Sequence, residues 1–111
     1  GGSAQQGRVV LDRAEGLLET AGAEGRRVAV EIVANGDGLD LLREGVSAHA
    51  ARIAQLRAAH PNLALVACGQ TAQRLRDGGV DVKLLPGTRT ATSALDEIVT
   101  RMQQGWAYTK I

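Results

Sequence analysis

The chain has 111 residues, 44% of them hydrophobic, a formal net charge of +1, one Cys, one Trp, one Tyr and no Phe. That length fits a single domain over residues 1–111, with a core built from Ala, Val, Leu and Ile. The near-zero charge and the lack of an aromatic stacking platform argue against nucleic acid as a ligand, no apolar run reaches the length of a membrane span, and a lone cysteine excludes both an intrachain disulfide and a cysteine-built zinc site.

Val10, Ala14, Leu17, Leu18 and Ala21 recur at helical spacing, and Gly22 and Gly25 break the pattern. Val28 to Ala34 follows as a β-rich run closed by the turn Asn35-Gly36-Asp37-Gly38. That turn lacks the glycine pattern and Lys-Ser/Thr ending of a phosphate loop and reads as a plain tight turn. Leu39, Leu41 and Leu42 mark a short helical piece. Ser47 suits the N-cap of the next helix, whose apolar line is Ala50, Ile53, Ala54 and Leu56 and which Pro61-Asn62 stops. His49 and His60 sit near its two ends, without the spacing or partners of a metal site, so no metal is expected.

Leu63 to Cys68 is the second strand, and it runs without a linker into a helix through Thr71, Leu75 and Arg76, closed by Gly78-Gly79. Val80 to Leu85 reads as a further short strand before Pro86-Gly87. Thr92 or Ser93 caps the last helix, and Ser93 with Asp96 resembles a capping box with Asp in place of Glu. The buried stripe of that helix is predicted as Leu95, Ile98, Val99 and Met102, with Gly105 as its stop. Trp106 to Ile111 reads as a closing strand with Trp106 and Tyr108 on one face, suited to a subunit contact.

Helices alternating with apolar strands imply an α/β fold on a largely parallel sheet flanked by helices. Such a sheet normally starts with a strand, so the helix-first order and the opening Gly1-Gly2-Ser3 suggest a first strand missing from the chain. With no visible signal peptide, a cytoplasmic location is expected.

Ligands of parallel sheets gather beyond the carboxyl ends of the strands. The Asn35–Gly38 and Cys68–Thr71 turns reach that edge, and neighbouring strands would place Cys68 at a shallow cleft lined by Asn35, Gly36, Gln70 and Thr71. A thiol at a helix start meets unpaired amides and the positive end of the dipole, which favour the reactive thiolate. Gly69 permits close backbone approach, and Gln70 and Thr71 offer hydrogen bonds at the thiolate. Arg74 and Arg76 lie on the same helix as ordinary solvated charges. The competing reading makes Cys68 a small buried apolar residue.

The runs Val33-Ala-Asn-Gly-Asp-Gly-Leu39, Val66-Ala-Cys-Gly-Gln-Thr71, Leu84-Leu-Pro-Gly87 and Gln104-Gly-Trp-Ala-Tyr-Thr-Lys110 resemble the DsrE/DsrF-like family, in particular its small single-domain branch. The resemblance implies flavodoxin-like layering and a homo-oligomer, trimer or hexamer. It also implies a sulfur carrier that relays sulfane sulfur as a persulfide on Cys68 to other sulfur-transfer proteins, with no cofactor. The alternative is a non-catalytic oligomeric binding or scaffold module in which Cys68 is structural.

Overall fold

A computed structural model describes residues 2–109, with side chains from residue 4 onward. Helix α1, Gly2–Ala23, buries Leu11, Ala14, Leu18 and Ala21, which recur every three or four residues on one face. Leu17, expected on that face, is exposed. Gly22 stays helical, and the helix stops at Gly25, whose φ of +70° is open to glycine at little cost.

Strand β1, Val30–Ala34, leads through a 3-10 helix, Gly36–Leu42, to α2, Ala50–Ala59. His49, not Ser47, occupies the N-cap of α2; the Ser47 hydroxyl accepts from the His49 amide at 3.2 Å, holding the turn one step earlier. Strand β2, Leu63–Cys68, continues directly into α3, Gly69–Asp77. Strand β3, Arg89–Ala91, and α4, Ala94–Gln103, follow. Among the described residues the sheet has three strands in the order β1-β2-β3, all parallel, with Ile32 opposite Leu65, Val66 opposite Arg89, and Cys68 opposite Ala91.

The pleat sorts the side chains. Ile32 and Ala34 of β1 share one face with Leu63, Leu65 and Ala67 of β2, and these join Leu11, Leu18, Leu39, Leu42, Ile53 and Leu56 in one continuous core. Burial of each such leucine contributes about 1.5–3 kcal/mol. The opposite face carries Glu31, Val33, Val66, Cys68, Arg89 and Ala91, and α4 packs across it against β1 and β3. Helices thus flank the sheet on both sides, the flavodoxin-like α/β layering expected from the sequence.

Three expectations are corrected. Val80 to Leu85 forms no strand, and the second edge of β2 is taken by β3 instead. Val82 and Leu85 enter the core, and the segment pairs instead with the chain after the 3-10 helix, through Glu44 N–H to the Lys83 carbonyl at 2.7 Å and Leu85 N–H to the Leu42 carbonyl at 2.8 Å. Trp106 to Thr109 also forms no strand. The Trp106 amide bonds back to the Arg101 carbonyl at 3.0 Å and its ring lies 4.9 Å from the Arg101 guanidinium carbon, tying the segment to α4; the predicted end of that strand, Lys110 and Ile111, lies outside the described residues. Helix α4 is rotated relative to its expected stripe. Leu95, Val99 and Met102 are exposed, Ile98 is half-buried, and the residues facing the sheet are Ala94 and Glu97.

Candidate thiolate site

Cys68 ends β2 and is the N-cap of α3, so the change from strand to helix is made on the cysteine itself, at φ −72° and ψ 115°. Its register partner Ala91 ends β3, three residues before the start of α4. Two helix N-termini therefore converge on one sulfur, and both bring amides that no intrahelical bond uses. The α4 start is fixed locally by Ser93, whose hydroxyl accepts from the Asp96 amide at 3.0 Å, as the capping pattern implies.

The close approach of α3 to β3 depends on Gly69. A Cβ at this position would stand 2.7 Å from the Ala91 carbonyl oxygen and 3.2 Å from the Thr90 methyl group. Any side chain here would push β3, and α4 behind it, away from the sulfur.

Thr71 is the most constrained partner of the thiol. Its Oγ1 accepts from the Gly36 amide at 3.0 Å and from the Arg74 guanidinium at 3.4 Å. With both lone pairs engaged, the hydroxyl proton is left to donate, and the Thr71 hydroxyl favours the thiolate form of Cys68. The expected meeting of the two turns is therefore real, but it runs through the Gly36 backbone. Asn35 is exposed and makes no capping bond with its side chain. Gln70 is likewise exposed and acts through its backbone amide. Arg74, read as simply solvated, orients Thr71, whereas Arg76 bonds the Val82 carbonyl at 3.1 Å.

Cys68 is 4% exposed, and it stands outside the continuous apolar core. Burial pushes its thiol pKa up, but the Thr71 hydroxyl and the amides of Thr71, Ala94 and Gln70 outweigh that, and the net direction is down. No side-chain capping bond forms at Cys68. Of its neighbours at the junction, Gln70 and Thr92 are exposed, and Gly69 and Ala91 half-buried. Two shallow depressions run along α2, one past Arg57 and Pro86, the other past Glu15 and His60, and neither includes Cys68.

The sequence reading missed a charged cluster on the same sheet face. Glu31 of β1 and Glu97 of α4 have side chains only 6% and 8% exposed, and Arg89 and Arg101 reach both. Arg101 Nη2 lies 2.8 Å from Glu31 Oε2, and its Nε lies 3.2 Å from Glu97 Oε2. The Arg89 guanidinium holds the Glu97 carboxyl down at about 2, while burial and the neighbouring Glu97 push Glu31 up. One signal was available, the lone charge of Glu31 inside the apolar run Val28–Ala34. Glu97 and Arg101, one helical turn apart, look from sequence like an ordinary solvated pair.

His49 Nε2 lies 2.8 Å from the Ala4 carbonyl and His60 is the C-cap of α2. Among the described residues no group of three or more His, Cys, Asp or Glu is placed to hold a metal ion, and no helix is long and apolar enough to cross a membrane.

No protein-family model and no curated protein matches the chain. Among solved structures it is similar to the protein of unknown function MTH1491 from Methanobacterium thermoautotrophicum, at 28% identity over 93% of this chain and 85% of that one, with a TM-score of 0.74. The likeness supports a compact α/β fold.

Proposed function

We propose that Cys68 is a reactive thiolate that accepts sulfane sulfur and passes it on as a persulfide. The observation that carries this reading is the convergence of two helix N-termini and the Thr71 hydroxyl on one sulfur. The amides supply what thiolate chemistry requires, stabilisation of an anion without a general base. With thiosulfate as donor, the Cys68 thiolate attacks the outer sulfur, a new S–S bond forms, and sulfite departs with the electrons of the bond that breaks. An acceptor thiolate then attacks the outer sulfur of Cys68, takes it, and returns the Cys68 thiolate. Neither step needs an outside oxidant or reductant.

Loading requires the donor's outer sulfur to reach Sγ of Cys68, which is 4% exposed. The outer sulfur of a persulfide stands about 2 Å beyond Sγ, an S–S bond length. Partners in this reading are other sulfur-transfer proteins.

A second reading has its own support. The 4% exposure of Cys68 and the apolar line Leu95, Val99 and Met102 on the outer side of α4 suit an oligomeric module with a structural cysteine. Self-association through α4 is compatible with either role.

Mass spectrometry after incubation with thiosulfate or polysulfide separates the two. The carrier reading expects one added sulfur on Cys68, removed by reductant and absent in Cys68→Ser. A folded protein that gains no sulfur and whose thiol resists alkylation refutes it and leaves the structural role.

A further inference from the structure

The charged cluster beneath α4 has no part in the persulfide chemistry, yet it shares a sheet face with Cys68 and is connected to it through one short helix segment. Glu97 is one turn inside α4, its amide donating to the Ser93 carbonyl at 3.2 Å, and Ser93 immediately precedes the amide that reaches the sulfur. The partners of Glu97 come from the sheet: Arg89 opens β3, and Glu31 lies in β1, linked to Glu97 through Arg89 and Arg101. Apolar contact alone holds α4 weakly, since Leu95, Val99 and Met102 all point outward.

We propose that Glu97, locked to Arg89 and through the arginines to Glu31, is a positioning residue that sets α4 on the sheet so that its first amide, at Ala94, meets the Cys68 sulfur. The inference rests on the thiolate reading of Cys68 but not on sulfur relay. A buried charge pair has a fixed geometry, because any displacement leaves a desolvated carboxylate without its partner. That rigidity is what an amide aimed at a sulfur requires, and a small apolar contact does not supply it. The same arrangement explains why a helix with an exposed apolar stripe turns a glutamate toward the sheet.

The charged groups on the elements around the sulfur are Asp37 and Asp40 on the 3-10 helix, Arg74, Arg76 and Asp77 on α3, Asp96, Glu97 and Arg101 on α4, Arg89 on β3 and Glu31 on β1. They make the sign of the test informative. Removing the Glu97 charge by Glu97→Gln would, through space alone, ease ionisation of a nearby thiol and lower its pKa. Loss of positioning does the opposite, because the Ala94 amide withdraws. Arg89→Lys keeps the charge and removes only the planar fork, so it isolates geometry.

The experiment measures the pH dependence of Cys68 alkylation by iodoacetamide in the wild type, Glu97→Gln and Arg89→Lys, with circular dichroism to establish folding. The expected result is a thiol pKa higher by about one unit in Glu97→Gln, which is roughly tenfold less thiolate below the pKa, and a smaller rise in Arg89→Lys. A folded Glu97→Gln with an unchanged or lowered thiol pKa overturns the proposal. If Glu97→Gln does not fold, Arg89→Lys decides by the same criterion. Sulfur loading, read separately by mass, can fail while the pKa result stands, so the two readings are judged apart.

Discussion

Replacing Gly69 with Ala tests the packing that brings α3, β3 and α4 together at the sulfur. The new methyl group would stand 2.7 Å from the Ala91 carbonyl oxygen, 3.2 Å from Thr90 Cγ2 and 3.4 Å from the Thr92 carbonyl oxygen. The nearest of these atoms is backbone and cannot rotate away, and it lies well inside van der Waals contact. Relief therefore comes from moving β3, which is held to β2 by only three register pairs. Overpacking of this kind costs about 1–3 kcal/mol. At roughly 4 °C per kcal/mol for a domain near this length, the melting temperature falls by about 4–12 °C. Because Ala94 moves with β3, the Cys68 thiol pKa should rise in the same variant. Thermal unfolding followed by circular dichroism, together with the pH profile of alkylation, measures both effects. Gly38→Ala is the control, since its Cβ would meet nothing within 4 Å. A Gly69→Ala protein that melts with the wild type and keeps its thiol reactivity would refute the account of this junction.

Gly16 lies inside α1 with open space around its missing Cβ, so Gly16→Ala should raise stability by about 0.5–1 kcal/mol in a denaturant titration. Ser93→Ala removes the cap of α4 and should cost about 0.5–2 kcal/mol, with a higher Cys68 pKa in the alkylation profile. Acid acts on the two buried glutamates with opposite signs. The depressed Glu97 contributes stability that is present above 4.5 and lost as pH falls toward about 2. The raised Glu31 contributes at low pH and loses its contribution as pH climbs through its folded value. The gap in urea midpoint between wild type and Glu97→Gln should therefore close from pH 4.5 down toward about 2, and a gap that stays constant argues against the ion pair. Val99→Lys, on the exposed line of α4, should change monomer stability by no more than about 0.5 kcal/mol and reduce any self-association seen by sedimentation.

The strand–cysteine–helix junction was legible in the residues because its signals are local. Leu63 to Cys68 is an unbroken apolar run of strand length that starts directly after the Pro61-Asn62 stop, Gly78-Gly79 bounds the helix that follows, and Ser93 with Asp96 marks the start of α4. The short strand Arg89–Ala91 was not legible. Arg-Thr-Ala carries little strand preference, and it pairs only because Gly69 lets the backbone of β3 come close. Val80–Leu85 shows the reverse, a persuasive strand pattern that makes only an isolated antiparallel bridge, Leu84 with Arg43, and sends Val82 and Leu85 into the core.

The sequence by itself determined the helices, the first two strands, the parallel sheet and the placement of one thiol at its carboxyl edge, since these follow from periodicity, turn residues and capping, all set within a few residues. Tertiary structure alone decided the rotation of α4, the burial of Cys68 and the gathering of Glu31, Glu97, Arg89 and Arg101, which lie as far as 70 residues apart in the chain. A helix with apolar residues on one side and a Glu-Arg pair on another can dock either way. The choice fell to the sheet, where Glu31 and Arg89 had already placed charges that needed partners away from water.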